Sequence, residues 1–482
     1  MRAALVTILL LGPALAQAHA RPAVLNRVRV DRRDPSHVVA QATWGLAVSR
    51  DGGDRWRWSC AAVIGTDPRF EDPVTLIGFE GRVLMATFSG LFVSDPDGCE
   101  WALADGPVGE RWVIDLVRDP SDPERLYAVT TDVLASDQLF VSEDEGRTWT
   151  ARGEASEEYL LQSLLVAPSA PERVYLSADI PGLPEDRRTL VLRSDDGGRT
   201  LTPIEFEGLV GDERLLRIAA VDPTDADVLY ARVVETGGAA IDPSRLVRSE
   251  DGGETWATVL EQTMLGDVVV SGDGATVWTA SRAGGVFRSD DGGRTFAEAH
   301  PDLPVTCLSL RDGELEACTD DAMAGFALAT STDRGATWTP RLELAAIDEM
   351  VECPPCSGVG VACPSWLPDV SYDLGFDAGL DVEIEPDGGI GLPRDAGLPP
   401  ECGGPPPPSP SCGCRVVGPR GSPLGWAGLA LIAWTRRRGA RARRGPGGRA
   451  RGGARARSGD AAGGGTVGRH SARAPRRRPP RA

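Results

Sequence analysis

The 482-residue sequence contains no lysine, and histidine, tyrosine and methionine are scarce. All 51 basic residues are arginine, a bias that we attribute to a GC-rich genome and not to function. Only four histidines are present, which disfavours a histidine-based metal centre, and we predict no metal and no cofactor. The sequence also lacks an uninterrupted apolar run of the roughly 18 residues that a transmembrane helix requires.

The charge is divided unevenly along the chain. The net charge is −19, but residues 436–482 hold 16 arginines and one acid, so residues 1–435 carry a net charge of −34. Such an acidic surface disfavours nucleic acid and anionic membranes, and it favours cations, basic proteins or neutral glycans. We therefore predict no nucleic-acid partner.

The first 20 residues have the pattern of a secretory signal peptide. Arg2 is followed by an apolar run at residues 3–16 and by the small-x-small sequence Ala18-His19-Ala20. We expect the mature protein to begin near Arg21 and to be exported.

An eight-residue pattern, Ser-x-Asp-x-Gly-x-Thr-Trp, recurs six times, and a degenerate seventh copy begins at Ser94, with Pro96 in place of the aspartate. Successive copies lie 40 to 55 residues apart, the length of one four-stranded propeller blade. We predict an all-β fold, a seven-bladed β-propeller of four-stranded antiparallel blades, over residues 21–345. Its structural turn residues are Ser49, Asp51, Gly53 and Trp56; Asp144, Gly146 and Trp149; Asp196 and Gly198; Asp251, Gly253 and Trp256; Asp291, Gly293 and Phe296; and Asp333, Gly335 and Trp338.

The residue types of this pattern suit a hairpin turn. Serine and aspartate side chains bond to nearby backbone groups, glycine supplies a positive φ, and the closing aromatic packs in an apolar seam. The pattern resembles the Asp box of the bacterial neuraminidase repeat proteins. That resemblance implies that each turn joins the third and fourth strands of a blade and has a structural role.

A second repeat precedes the Asp box in several units. Residues 117–127, 166–175 and 221–230 each form an apolar segment, an Asp/Pro turn and a second apolar segment ending in tyrosine, and residues 30–39 are a relative. A unit therefore reads strand, Pro turn, strand, loop, strand, Asp box, strand. Tyr127, Tyr175 and Tyr230 occupy equivalent positions and are predicted to be structural.

Ten cysteines in an exported chain should mostly be paired. Asp312-Gly313 is a strong two-residue hairpin turn, and counting outward from it places Cys307 opposite Cys318. We predict a disulfide between these two residues.

Other cysteine pairs are less directly specified. Cys60 and Cys99 fall in blades 1 and 2, and we predict an interblade bond between them. Cys353, Cys356 and Cys363 are predicted to form a small knot in a Cys-rich closing segment, residues 346–366. A zinc site in this segment is the alternative, which an oxidising compartment disfavours.

Three segments follow. Residues 367–411, rich in Asp, Gly and Pro, are predicted to be a disordered linker. Residues 412–438 contain Cys412 and Cys414, a 13-residue apolar run and an arginine cluster, an order that resembles the MYXO-CTERM sorting tail. This resemblance implies retention at the cell surface or outer membrane through a lipidated cysteine, with an ordinary membrane anchor as the alternative. Residues 439–482, rich in Arg, Gly and Ala, are predicted to be disordered.

Asp-box propellers include sialidases and other glycoside hydrolases, so an enzyme must be considered. The Arg-Ile-Pro element of sialidases is missing, and outside the repeats and the linker only Tyr159 is available as a nucleophile. A glycosidase with a pair of carboxylates needs only two acids at a suitable distance, so it stays the alternative. We predict no catalytic residues.

A single seven-bladed propeller is similar in layout to photosystem assembly factors, which implies a binding platform. Ligands of propellers meet the loops that join one blade to the next. We predict a monomer that binds a protein or glycan ligand through these loops, with membrane contact only through the C-terminal tail. The candidate ligand-binding residues are Glu110, Arg111, Trp112, Glu157, Glu158, Tyr159 and Arg214.

Overall fold

The computed structural model describes residues 23–64, 73–131, 136–180, 188–235 and 243–375. The predicted signal peptide, most of the linker and the sorting tail with Cys412 and Cys414 lie outside these residues. No helix in the described part of the chain is long and apolar enough to cross a membrane.

The structure is a seven-bladed β-propeller, and each blade is an antiparallel sheet whose four strands follow one another in sequence. Blades 1 to 4 comprise β1 to β4 (Leu25–Val30, Val38–Ala42, Gly45–Ser49, Arg57–Cys60), β5 to β8 (Val74–Ile77, Val83–Thr87, Gly90–Ser94, Trp101–Leu103), β9 to β12 (Val113–Arg118, Leu126–Thr130, Asp137–Ser142, Thr150–Ser156) and β13 to β16 (Leu160–Val166, Val174–Ile180, Arg188–Ser194, Thr202–Phe206).

Blades 5 to 7 comprise β17 to β20 (Glu213–Val221, Leu229–Glu235, Pro243–Ser249, Ala257–Thr263), β21 to β24 (Leu265–Val270, Val277–Ser281, Val286–Ser289, Ala297–His300) and β25 to β28 (Val305–Arg311, Glu314–Thr319, Leu328–Ser331, Thr339–Leu342). Helix α1 (Asp321–Ala324) lies in blade 7 between β26 and β27. A short strand β29 (Glu349–Met350) and the helices α2 (Gly358–Ala362) and α3 (Leu367–Leu374) follow blade 7.

Each recurrent serine is the last residue of its blade's third strand, and the motif forms the turn into the fourth strand. In blade 5, Ser249 Oγ donates to Asp251 Oδ1 (2.8 Å) and accepts from the Gly253 N–H (2.9 Å). Asp251 accepts from the N–H (2.8 Å) and the hydroxyl (2.6 Å) of Thr255, and Trp256 Nε1 donates to the Gly253 carbonyl (3.0 Å). The motif therefore satisfies its own backbone groups, as a structural turn should.

The degenerate copy in blade 2 forms the same turn with a different carboxylate. Asp95, one residue earlier than the usual position, accepts from the backbone N–H groups of Cys99 (2.7 Å) and Glu100 (3.1 Å). Trp101 Nε1 donates to the Gly98 carbonyl (3.2 Å), as the tryptophan of an intact copy does. The eight-residue pattern does not identify Asp95, because this aspartate directly follows Ser94 and the pattern requires an aspartate two residues after the serine.

These hydrogen bonds make the turns sensitive to acid. The backbone N–H of Thr200 lowers the pKa of Asp196 to about 2, and the hydroxyl and N–H of Thr337 lower that of Asp333 to about 2. Both folded-state pKa values lie below the unfolded value of about 4. Their contribution to stability is therefore present above pH 4 and is lost as the pH falls from about 4 to about 2.

We expect the urea midpoint of the protein to fall between pH 5 and pH 2.5, and to fall less steeply in a D196N/D333N variant. Asparagine keeps an acceptor oxygen but has no carboxylate to protonate. Urea unfolding followed by tryptophan fluorescence at several pH values measures both slopes. An equally steep decline in the variant would contradict the assignment.

The core lies between the blades. The second strands β2, β6, β10 and β22 are buried along their whole length, whereas the outer strands β12 and β20 are largely exposed. Tyr127, Tyr175 and Tyr230 are among the most deeply buried side chains, at 1% exposure or less. Their equivalent positions in the repeat are therefore core positions, as predicted.

Blade 7 contains the predicted hairpin. Asp312 and Gly313 both have positive φ (51° and 87°), and the register pairs Arg311 with Glu314 and Cys307 with Cys318. The disulfide Cys307–Cys318 is present, as predicted. Here the type of turn alone sets the pairing of the strands.

The remaining disulfides correct the sequence interpretation. Cys60 bonds to Cys363 and Cys99 to Cys353, so the predicted Cys60–Cys99 bond is wrong. The predicted knot of Cys353, Cys356 and Cys363 is also wrong, because two of its members bond to blades 1 and 2; Cys356 is disulfide-bonded as well. These partners lie more than 250 residues apart, so no local pattern could specify them.

The closing segment, together with the residues on either side of it (343–374), runs from blade 7 onto blades 1 and 2. Strand β29 pairs in parallel with β4, and Val359 N donates to the Cys99 carbonyl (3.0 Å). Helix α3 occupies the start of the predicted linker, so that boundary was placed too early. The reason is that Val370 and Leu374, four residues apart on one helical face, are buried against the core around blade 1.

Candidate functional site

The alternating strand directions give the propeller two faces. The loops between blades and those between second and third strands form one, which we call the upper face. The turns between third and fourth strands and the turns between first and second strands form the lower face.

All five large hydrophobic side chains that are exposed in the described residues belong to the upper face. Three of them, Phe88, Leu103 and Trp112, come from blade 2 and the loop that follows it. Val210 follows blade 4, and Met323 lies in α1 of blade 7. Exposed apolar groups gathered on one face are typical of an interaction surface.

Phe88, Leu103 and Trp112 form what we call the aromatic patch. The rings of Phe88 and Trp112 are 5.7 Å apart between centroids and tilted by 42°. A Cβ at Gly90 would lie 2.7 Å from Leu103 Cδ2 and 1.9 Å from the Gly109 carbonyl oxygen, so glycine allows this close approach. The patch is therefore built by packing of two loops and not by one motif.

Hydrogen bonds hold the loops of the patch in place. Thr87 Oγ1 donates to the Gly90 carbonyl (2.9 Å) and accepts from the Ser89 N–H (3.0 Å), which fixes the turn that carries Phe88. The Trp112 carbonyl accepts from the Thr131 N–H (3.0 Å). Both aromatic rings are thus presented from constrained backbone, which lowers the entropic cost of binding.

The predicted group Glu110, Arg111 and Trp112 divides in the structure. Trp112 is 36% exposed and Glu110 is exposed, so both can meet a ligand. The guanidinium of Arg111 lies over the ring of Phe140 (5.8 Å) and donates to the Ser136 carbonyl (2.9 Å). Arg111 therefore has a structural partner on each side.

The second predicted group lies one blade boundary further on. Glu157 and Glu158 are exposed, whereas Tyr159 is half-buried and packs against the core between blades 3 and 4. Ser156 Oγ accepts from the N–H groups of Glu158 and Tyr159, both at 3.1 Å. Tyr159 is thus anchored by its loop, and the two glutamates form a solvated rim.

Arg214 lies at the next boundary, on β17, and is half-buried. Its neighbour Glu213 is buried and accepts from Arg245 Nε (2.5 Å) and Nη2 (2.6 Å). Glu213 also accepts from the Val210 N–H (2.8 Å), so it positions the loop that exposes Val210. The three predicted groups therefore lie at three successive blade boundaries.

Charged residues that belong to no sequence motif occupy the inner strands. Four inner strands have a charged residue directly before a buried one. The pairs are Arg27 and Val28, Asp115 and Leu116, Arg217 and Ile218, and Asp267 and Val268. They therefore lie at one level in blades 1, 3, 5 and 6. We call these four charged residues, together with Arg29 and Arg232, the channel cluster. An alignment of the inner strands of the repeats could have shown that charged residues recur at this position.

The pKa shifts of Arg29, Asp115 and Arg232 each depend on charges of other members of the cluster. Burial, followed by the charge of Arg27, lowers the pKa of Arg29, and Asp267 and Asp115 oppose this shift. Burial raises the pKa of the Asp115 carboxyl, and Arg27 opposes that shift. Burial lowers the pKa of Arg232, with Asp267 opposing. The cluster thus holds four positive and two negative groups in a chain that is acidic overall.

Two acidic side chains share a cleft on the lower face. Asp31 and Glu145 line it together with Arg32, Arg33 and Arg118. Glu145 pairs with Arg33 and lies 3.9 Å from Arg118 Nη1, which neutralises its charge. In the described residues, no three His, Cys, Asp or Glu side chains are grouped so that they could hold a metal ion.

No protein-family model matches the chain, and no curated protein matches it. Solved structures with a similar fold include an ancestral GH74 enzyme (14% identity, TM-score 0.42), which covers 67% of this chain, while the chain spans 55% of that protein. A second is the GH74 xyloglucanase from Xanthomonas campestris (14% identity, TM-score 0.31), where the match covers 65% of this chain and 77% of that protein. A third is YCF48 from Cyanidioschyzon merolae (16% identity, TM-score 0.40), where the match covers 61% of this chain and 92% of that protein. At these identities the likeness concerns the fold alone.

Proposed function

We propose that this protein is an exported binding platform that holds a protein or glycan ligand on its upper face without catalysis. The observation that carries the proposal is that all five exposed large hydrophobic side chains of the described residues lie on this face, where the rings of Phe88 and Trp112 pack together. Exposed aromatic rings beside acidic groups such as Glu110 suit stacking on a sugar ring or burial of an apolar peptide side chain.

Export is supported by the three disulfides between described residues and by the bonded Cys356, because disulfides form and persist in oxidising compartments. Surface retention through Cys412 or Cys414 is part of the proposal. The alternative is a glycoside hydrolase with a carboxylate pair; Asp31 and Glu145, two carboxylates that line one cleft, lie on the lower face, away from the exposed hydrophobic side chains.

A variant with F88S and W112S tests the aromatic patch. Because exposed anchor residues supply much of the binding energy of an interface, we expect at least about a tenfold loss of affinity. Affinity electrophoresis in gels containing soluble neutral polysaccharides, and titration with proteins of the host's outer surface, measure it. The matched control is M323S, which removes an exposed apolar side chain from blade 7 on the same face.

The same protein should be assayed with chromogenic glycosides, sialosides included. We expect no turnover. Hydrolysis that disappears when a single Asp or Glu is replaced would establish the glycosidase alternative. Unchanged affinity in F88S/W112S for a ligand that the parent binds would show that the aromatic patch is not the site.

A further inference from the structure

We infer that the channel cluster is a binding site for an anionic group with two or more oxygens, such as a carboxylate, phosphate or sulfate. The site is separate from the aromatic patch and does not depend on the function proposed above. Its residues come from blades 1, 3, 5 and 6, so only the closed propeller brings them together.

The two aspartates of the cluster are already used by the backbone. Asp115 Oδ2 accepts from the Leu164 N–H (2.8 Å) of the next blade, and Oδ1 accepts from the Leu116 N–H (2.9 Å). Asp267 Oδ2 accepts from the Leu308 N–H (3.0 Å), also of the next blade. Both carboxylates therefore tie neighbouring blades together.

The four arginines have no matching carboxylate. Among the described residues, no ion pair within 4.0 Å joins Arg27, Arg29, Arg217 or Arg232 to an acid. Arg29 and Arg232 donate to backbone carbonyls, of Thr75 (3.1 Å) and Leu265 (2.6 Å) respectively, and the buried Nε of Arg232 has no partner in this part of the chain. A cluster that served only to join blades would pair its opposite charges, as Arg173 of blade 4 and Asp227 of blade 5 do (2.5 Å).

The remaining donors favour an oxyanion. The guanidinium of Arg217 makes one long hydrogen bond, to Gln162 Oε1 (3.3 Å). The guanidinium of Arg27 makes no hydrogen bond to a described residue. Guanidinium groups bind carboxylate, phosphate and sulfate through paired N–H donors. Arg217 is exposed and the other five members are half-buried, so solvent reaches the site. An anion there would relieve the repulsion among four positive charges.

The test uses the full chain, with phosphate, sulfate and citrate as probes and chloride at equal ionic strength as the reference. Thermal unfolding and isothermal titration should both show binding, because a ligand of the folded state raises its melting temperature. In R27Q/R217Q the affinity should fall roughly tenfold to a hundredfold. R55Q/R199Q removes the same charge from exposed positions on the lower face and should bind as the parent does.

Loss of folding would be recognised separately, because the melting temperature of R27Q/R217Q is also measured without anions, and only the rise caused by each anion is compared with that of the parent. F88S/W112S should bind the anions normally, which separates this site from the aromatic patch. If a sulfated polysaccharide competes with sulfate, the bound anion is a group carried by a large ligand. If it does not compete, the ligand is a free small anion. The inference is wrong if none of the three probe anions raises the melting temperature more than chloride does, or if R27Q/R217Q binds the anions as tightly as R55Q/R199Q does.

Discussion

Removing the disulfides that attach the closing segment, in a C60A/C99A/C353A/C363A variant, is expected to lower the free energy of unfolding by more than about 4 kcal/mol. The two bonds join residues 303 and 254 positions apart, so they restrict the unfolded chain strongly. They also attach the segment after blade 7 to blades 1 and 2, where the ring closes. Urea unfolding followed by tryptophan fluorescence measures the loss.

C307A/C318A is the matched control, because that bond spans only 11 positions within one hairpin. Its removal should cost about 2 to 3 kcal/mol, less than loss of the other two bonds. A larger loss in the control would mean that the closing segment does not stabilise the ring.

Replacing Tyr175 with alanine is expected to lower the free energy of unfolding by about 3 to 5 kcal/mol. The side chain is fully buried, packs with Val191 of its own blade and Leu229 of the next, and donates its hydroxyl to the Ala226 carbonyl (2.9 Å). Alanine would leave a cavity between blades 4 and 5.

Y175F is the control, since it removes only the hydroxyl and should cost about 1 kcal/mol. Chemical unfolding of both variants separates packing from hydrogen bonding. Equal losses in Y175A and Y175F would mean that the ring fills no essential space.

The candidate site was predictable only in part. The sequence predicted that the loops between blades carry the ligand-binding residues, and Trp112 is exposed in one of these loops, but Phe88 and Leu103 were not foreseen. Phe88 lies in a loop within blade 2, and it meets Trp112 because Gly90 lets residues 104–109 approach. Contacts between two loops depend on side-chain packing, which a repeat pattern does not encode.

The sequence by itself determined the seven blades, their strand order and the pairing of Cys307 with Cys318. These features depend on local hydrogen bonds and turn geometry, such as the Ser249 and Asp251 turn, which neighbouring residues specify. Only the tertiary structure decided the partners of Cys60 and Cys99 and the placement of Arg27, Asp115 and Arg217 in one cluster. Those residues are brought together by closure of the ring, and closure sets distances between blades that the spacing within one repeat leaves open.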